Sequence, residues 1–148
     1  MTEQRPAAGL TLVVRRRISA SPDRLFRAWT IAEEFVRWWG PRGVVCEGAE
    51  IDLRIGGAYR IANRTPDGTL VWISGMFEAI QPPTRLAFTW RVDRSPAEES
   101  RVTVTFTAIG NETEVVVVHE QIASEATRED HELGWIGCLN GLAEHIAP

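Results

Sequence analysis

Two histidines are the residues of this sequence whose type best suits acid–base chemistry. His119 is in step with Val115 and Val117 in an alternating run, so its side chain shares their face. His131 lies with Trp135 on the apolar stripe of a helical segment. Because imidazole titrates near neutral pH, either ring could act as an acid, a base or a ligand contact. We favour an interior or cavity-rim histidine with satisfied hydrogen bonds, since no carboxylate is placed to orient either ring.

Aromatic residues are the second feature that could form a site, with six tryptophans in 148 residues. Aromatic side chains usually form core, but in a curled sheet with a pocket they also make the walls for a flat apolar ligand. Tyr59 and Asn63 would then be the polar groups that orient the ligand. The candidate ligand-binding residues are Trp39, Tyr59, Asn63, Phe77, Phe88, Trp90, Phe106, His119, His131, Trp135 and Cys138.

Composition excludes several classes of function. All 16 basic residues are arginine, so Schiff-base lysines and phosphate-loop lysines are absent. The net charge of −4 argues against nucleic acid and against a polybasic membrane anchor. Cys46 and Cys138 lie far apart without metal-ligand spacing, which predicts two separate thiols. We therefore expect no metal, no cofactor and no membrane contact, and a cytoplasmic location.

The first 40 residues predict a strand and two short helices. Residues 10–18 alternate as a strand, and Ser21 followed by a proline and an acid is typical of a helix start. Thr30 is expected to cap a second short helix that ends at Gly40-Pro41.

The rest of the chain predicts a sheet followed by one long helix. Residues 44–120 alternate between apolar and Thr- or Arg-rich positions, with short turns that imply antiparallel neighbours. At Gly56-Gly57 we expect a tight turn in which Gly57 has a positive φ. From about Ser124 to Ile146 the period becomes helical, with His145 at the margin of the apolar stripe and expected to be exposed. A sheet that curls around such a helix commonly leaves a pocket between them.

This order of elements, with several local strings, resembles the START-like (SRPBCC) superfamily and its helix-grip fold. Within it the chain resembles the family named for the activators of the heat-shock-protein-90 ATPase. The most specific strings are Trp38-Trp39-Gly40-Pro41 and Asp52-x-Arg54-x-Gly56-Gly57-x-Tyr59. The others are Arg17, Ala20-Ser21-Pro22, Leu25-Phe26, Gly75-x-Phe77-Glu78, Pro82-Pro83-x-Arg85-Leu86, His119 and Gly134-Trp135-x-x-x-Leu139-x-x-Leu142.

The resemblance implies an α+β fold in which a curled antiparallel sheet of about seven strands grips a long C-terminal helix. Two short helices follow the first strand. We expect one START-like domain over residues 1–148, with residues 1–9 flexible. The shared motifs are architectural, so the resemblance transfers no catalytic residue.

Three functions remain open at this stage. The favoured one is binding of a small hydrophobic or aromatic molecule in the cavity. The second is an enzyme of the polyketide cyclase or dehydratase type, in which His119, His131, Tyr59 or Asn63 would be acid, base or carbonyl polariser. The third, less favoured, is a chaperone-activating partner protein; such activators carry an additional N-terminal domain, which we expect to be absent here. A homodimer through a free sheet edge is also open.

Overall fold

The computed structural model describes residues 9–40, 43–95 and 97–147. Residues 1–8 of the segment expected to be flexible, and Pro41 of the predicted helix stop, lie outside the described residues. The elements in chain order are β1 (Leu10–Ile18), α1 (Pro22–Thr30), α2 (Ala32–Trp38), β2 (Val45–Ile51), β3 (Ala58–Arg64), β4 (Leu70–Gln81), β5 (Arg85–Val92), β6 (Glu99–Ile109), β7 (Glu112–Ile122) and α3 (Glu125–Ile146).

The seven strands form one antiparallel sheet in the order β1-β7-β6-β5-β4-β3-β2. The predicted fold class is confirmed: a curled antiparallel sheet, two short helices after the first strand and a long C-terminal helix. The helices α1 and α2 carry the chain from β1 at one edge of the sheet to β2 at the other. The inner face of the sheet holds the apolar side chains, as the alternation predicts.

The start of α1 agrees with the sequence, but the start of α2 does not. The Ser21 hydroxyl accepts a hydrogen bond from the backbone N–H of Arg24 at 3.1 Å. Thr30, expected to cap α2, instead donates its hydroxyl to the carbonyl of Phe26 at 2.8 Å. Because Thr30 is the last residue of α1, its hydroxyl reaches the carbonyl four residues back. Ile31 precedes α2 without a side-chain cap.

The turn between β2 and β3 needs both of its glycines, for different reasons. Gly56 has the positive φ, +80°, so the expectation of a positive φ at Gly57 is wrong. A Cβ on Gly57 would lie 2.1 Å from the carbonyl oxygen of Asp52. Gly57 is therefore required by a close approach of backbone, not by its dihedral angle.

Helix α3 follows the prediction over its whole length. The Ser124 hydroxyl accepts from the backbone N–H of Thr127 at 3.2 Å and caps the helix. The expectation that His145 is exposed is wrong: its Nε2 lies 2.7 Å from Oε2 of Glu34 and the side chain is partly buried. The reason is that α2 packs against the end of α3 and covers the margin of its apolar stripe.

The packed core lies beneath α1 and α2. Phe26 and Trp29 of α1 contact Phe106 of β6 with ring centroids 5.8 and 6.1 Å apart. Cys138 is buried, Cys46 is half-buried, and both thiols are free. In the part of the chain that the structure describes, no helix is long and apolar enough to cross a bilayer.

Candidate ligand-binding cavity

A cavity of about 620 Å³ lies between the inner face of the sheet and the first half of α3. This volume falls in the range of about 300 to 1,000 Å³ that is usual for small-molecule sites. The predicted site residues that line it are Trp39, Asn63, Trp90, His131, Trp135 and Cys138. Exposed residues of the β5–β6 turn and of α3 form its rim, among them Arg94, Glu98, Asp130 and Leu133.

Asn63 is a buried polar residue in the cavity wall. It is contributed by β3, where alternation turns it to the inner face with Tyr59 and Ile61. Its amide oxygen Oδ1 has no hydrogen-bond partner among the described residues. A buried acceptor without a partner costs about 1 to 3 kcal/mol. This oxygen is enclosed, so it is not the part of Asn63 that faces the cavity.

Three tryptophans form one aromatic wall of the cavity. The ring centroids of Trp90 and Trp135 are 5.3 Å apart, and those of Trp39 and Trp135 are 5.4 Å apart. The indole nitrogens Nε1 of Trp39 and Trp90 are buried and have no acceptor in the described part of the chain. Because these two nitrogens are enclosed, the three rings offer a ligand mainly apolar surface.

His119 lies behind this wall, with both ring nitrogens engaged. The indole Nε1–H of Trp135 donates to His119 Nδ1 at 3.0 Å, and His119 Nε2 lies 2.7 Å from Oγ of Ser100. Burial lowers the pKa of His119 to about 3, with a smaller effect from the nearby His131. The ring is therefore neutral. Because an indole can only donate, Nδ1 carries no proton, and Nε2–H donates to Ser100.

This tautomer decides what the Ser100–His119 pair can do. A serine nucleophile needs a histidine nitrogen that accepts the hydroxyl proton. Here that nitrogen already holds a proton, so His119 does not activate Ser100. Ser100 is not among the sequence-predicted site residues, although it occupies the inward position two residues before Val102 in the alternation of β6.

His131 is the imidazole that reaches the cavity. Its ring stacks on that of His119 at a centroid distance of 5.0 Å and meets the edge of Trp90 at 5.9 Å. Burial lowers the pKa of His131, while the charges of Asp130 and Glu98 raise it in part. No hydrogen bond joins its ring nitrogens to the described residues, so they are available to a ligand.

Other predicted site residues lie apart from the cavity. Tyr59, Phe77 and Phe88 surround a separate apolar gap of about 30 Å³ behind Trp39 and Trp90. The Tyr59 hydroxyl donates to the carbonyl of Thr89 at 2.6 Å, and burial raises its pKa well above the usual value. The structure places Phe106 beneath α1, in the packed core. The described residues contain no group of three His, Cys, Asp or Glu side chains that could hold a metal ion.

Comparison with known proteins agrees with the fold. The sequence model of the family described as activator of Hsp90 ATPase homolog 1-like protein matches residues 19–147. Protein CV1439 from Chromobacterium violaceum is similar in structure, with a TM-score of 0.84, 29% identity, and coverage of 94% of this chain and 99% of that chain. An Hsp90 activator from Plasmodium falciparum has a TM-score of 0.72 and 26% identity, over 90% of this chain and 94% of that chain.

A further similar structure is the AHSA1 protein SPO3351 from Silicibacter pomeroyi. Its TM-score is 0.82 at 24% identity, over 93% of this chain and 97% of that chain, which supports the fold alone. No curated protein matches the sequence.

Proposed function

Because the chain belongs to the activator of Hsp90 ATPase homolog 1-like family, we propose that it binds a small hydrophobic or aromatic molecule between its sheet and α3. The observation that carries this proposal is the cavity of about 620 Å³ whose wall combines tryptophan rings with the polar side chains of Asn63 and His131. A wall that served only as core would be closely packed and would not leave this volume empty.

The chemistry of the wall favours binding over turnover. Tyr59 uses its hydroxyl within the core, and His119 uses both nitrogens within the protein. Of the four residues considered for acid–base catalysis, Asn63 and His131 remain on the cavity. One imidazole without an orienting carboxylate is a weak basis for general acid–base catalysis, whereas both residues can hold a ligand by hydrogen bonds.

The proposal is tested by filling the cavity without disturbing the fold. Gly134 lies in α3 on the cavity, and a Cβ added there meets no atom within 4 Å. Gly134→Phe should therefore occupy the cavity with a side chain on an intact helix. Ile136→Phe places the same ring on the exposed side of the same helix and is the matched control.

The measurements are native mass spectrometry of the purified proteins and titration with the neutral dye Nile red. We expect a co-purifying small molecule, Nile red binding, or both, in the wild type and Ile136→Phe, and a loss of at least tenfold in dye affinity in Gly134→Phe. Equal dye binding by all three folded proteins would show that the cavity is not the site.

A second candidate, partner binding of the chaperone-activator type, is favoured by the likeness to the Plasmodium falciparum Hsp90 activator. Leu53, Ile55 and Met76 are exposed apolar residues around the β2–β3 turn. The backbone N–H of Gly56 donates to the carbonyl of Phe77, and the N–H of Phe77 donates to the carbonyl of Gly57. These bonds hold the turn against β4, which carries Met76. If this candidate is correct, the protein stimulates the ATPase of Hsp90, and Ile55→Asp abolishes the stimulation while Gly134→Phe does not. Absence of stimulation by the wild type would dismiss it.

A further inference from the structure

Ser100 holds a hydroxyl donor at one end of the cavity. Its oxygen accepts the Nε2–H of His119 at 2.7 Å, so its own O–H points elsewhere. Among the described residues it meets the carbonyl of Trp90 at 3.5 Å, which is longer than the about 2.5 to 3.0 Å that is usual for a hydroxyl. Ser100 is 9% exposed and lines the cavity. A ligand in the cavity can therefore supply the acceptor that this hydroxyl lacks.

Gln121 lies beside Ser100 and has a backbone conformation that is unusual for its residue type. The register pairs Arg101 of β6 with Glu120 of β7, so Ser100 and Gln121 follow as neighbours where this pairing ends. A β-bulge interrupts the pairing of β7 with β1 at the same place. With a φ of +64°, Gln121 is the one non-glycine residue of positive φ in the described part of the chain.

The conformation of Gln121 favours a role for its side chain. Glycine would take this φ without strain, so what glutamine adds is an amide among the residues that line the cavity. The side chain is partly exposed, and no hydrogen bond to the described residues uses its amide. Bulges commonly redirect a side chain beside a functional site. The amide is therefore a second polar group available to a ligand next to Ser100.

His131 is the third polar group at this end of the cavity. Its ring stacks at a centroid distance of 5.0 Å on His119, the same ring that donates to Ser100. Burial lowers the pKa of His131, so its ring is uncharged at neutral pH and has one donor and one acceptor nitrogen. Together with Ser100 and Gln121 it forms what we term the polar end of the cavity.

An aromatic surface adjoins the polar end. The register pairs Ser100 directly with Trp90 on β5. The ring of His131 meets the edge of Trp90 at 5.9 Å, and the ring centroids of Trp90 and Trp135 are 5.3 Å apart. Both tryptophans line the cavity. Because the polar end and these rings are immediate neighbours, one small ligand can contact both.

The charges around the cavity bear on the charge of the ligand. Glu98 and Asp130 lie at the rim and are close enough to His131 to raise its pKa in part. Arg94 is the one arginine among the described lining residues, and it is exposed. A carboxylate at the polar end would therefore be buried beside like charges without a cation to pair with it, which is costly. The acceptor that Ser100 needs is a neutral oxygen.

We propose that the ligand is an uncharged aromatic carbonyl compound whose oxygen accepts from Ser100 at the polar end and whose ring lies against Trp90 and Trp135. Gln121 and His131 complete the hydrogen bonds of the carbonyl group and its substituents. This inference rests on the proposed binding function and names the chemistry of the ligand and the residues that select it.

The test uses three naphthalenes of nearly the same shape. 2-Acetylnaphthalene carries the carbonyl, 2-isopropenylnaphthalene has a CH2 group in place of the oxygen, and 2-naphthoate has a carboxylate in place of the ketone. Affinities are measured by tryptophan fluorescence or by competition with Nile red.

The variants are Ser100→Ala and Gln121→Gly. Ser100→Ala leaves the Nε2–H of His119 without its acceptor, so its folding is checked by circular dichroism. Gln121→Gly removes the amide while suiting the positive φ, so it should fold as the wild type does and keeps the test decisive if Ser100→Ala does not fold. The isopropenyl probe is the matched control for both, because it cannot accept a hydrogen bond.

The expected results separate hydrogen bonding from cavity shape. Affinity for 2-acetylnaphthalene should fall about fivefold in Ser100→Ala and about threefold in Gln121→Gly, as expected for single neutral hydrogen bonds. Affinity for the isopropenyl probe should change less than about twofold in either variant. The wild type should bind the naphthoate at least about tenfold more weakly than the ketone, and Glu98→Gln should narrow that difference by about twofold to fivefold.

Two results would overturn the inference. The first is that the folded variants change the affinities for the ketone and the isopropenyl probe by the same factor, or change neither. The second is naphthoate binding as tight as ketone binding. If no naphthalene binds while Nile red still binds in a manner that Gly134→Phe abolishes, this inference fails and the proposed binding function stands. If Gly134→Phe changes nothing for any probe, both fail.

Discussion

The two halves of α3 differ in what they face. Its buried residues all lie from Trp135 onward, and Leu139 and Leu142 there are almost fully enclosed. Residues 125–134 contain no buried side chain, and His131 and Gly134 border the cavity. A Cβ on Gly141 would lie 2.7 Å from the carbonyl oxygen of Trp38, whereas a Cβ on Gly134 would meet nothing within 4 Å.

This difference shows how one helix can hold the fold together and still leave room for a ligand. Helix α2 packs against the second half of α3, where Trp38 approaches Gly141 and Glu34 approaches His145, whereas residues 125–134 contain no buried side chain. The burial that stabilises the fold is therefore concentrated at one end of the helix. The other end is available to contact a ligand, and it should open more readily.

The largest loss of stability should come from truncating a buried side chain in the second half of α3, from Trp135 onward. Leu142→Ala removes a side chain that is 0% exposed, and we expect a loss of about 2 to 5 kcal/mol in the free energy of unfolding. Leu133→Ala, in the half on the cavity, removes a side chain that is 71% exposed and should change it by less than about 0.5 kcal/mol. Urea denaturation measures both. Similar losses in the two variants would remove the distinction between the halves.

Acid should lower the stability of the protein through His119, which lies behind Trp135 where the two halves of α3 meet. Its folded pKa of about 3 lies below the ordinary 6.5, so below pH 6.5 the unfolded chain binds a proton that the folded protein does not. Stability is therefore complete above about pH 6.5 and falls by about 1.4 kcal/mol per pH unit toward pH 3. The lowered pKa of His131 acts in the same direction.

The acid effect is measured between about pH 6.5 and pH 5, where it amounts to about 2 kcal/mol. In this window the lowered pKa of Glu34 contributes little, because its ordinary value is 4.5 and the stability from its contacts is lost only at lower pH. His119→Gln should have a flatter pH dependence than the wild type by denaturant titration. If the free energy of unfolding of this variant depends on pH as steeply as that of the wild type, the titrating group is not His119.

A smaller effect is expected from the glycine in the packed half. Gly141→Ala forces the Cβ against the Trp38 backbone and should lower the free energy of unfolding by about 1 to 2 kcal/mol, despite the better helix propensity of alanine. Thermal melts followed by circular dichroism measure the change. A gain in stability would mean that α2 and α3 are less closely packed.

Replacing the glycine in the first half of α3 should have the smallest effect, and it should raise the free energy of unfolding rather than lower it. Gly134→Ala adds a Cβ to open space in a helix, so we expect a gain of about 0.5 to 1 kcal/mol. Thermal melts followed by circular dichroism measure this gain as well. A loss of stability would show that the cavity side of α3 is already filled.

Local sequence pattern was sufficient for the elements and for most inward positions. Alternation identified Trp90 and Asn63 on the inner face, and Ser124 marked the start of α3. Ser100 could have been found by the same alternation. A serine in a strand does not by itself indicate a functional site. Its relevance follows from the distance of 2.7 Å between its Oγ and Nε2 of His119.

Three expectations failed, one because of a contact distant in sequence and two because of the local conformation of the backbone. His145 was expected in solvent, but α2 brings Glu34 to it. Thr30 bonds backward into α1, and the strain at the β2–β3 turn falls on Gly56 while Gly57 meets the Asp52 carbonyl. In each case the residue type was informative, but its contacts depended on the three-dimensional course of the backbone.

Periodicity and turn residues are local properties of the chain, and they were enough to predict the sheet, the long helix and most inward-facing positions. The family resemblance added the expectation of about seven strands. Three features could be seen only in the tertiary structure. The Tyr59 hydroxyl is hydrogen-bonded within the core, and Trp135 sets the tautomer of His119. Asn63 and Ser100 border a cavity. The physical reason is that pattern specifies the direction of a side chain, whereas the curl of the sheet and the packing of α2 set the distance to what it meets.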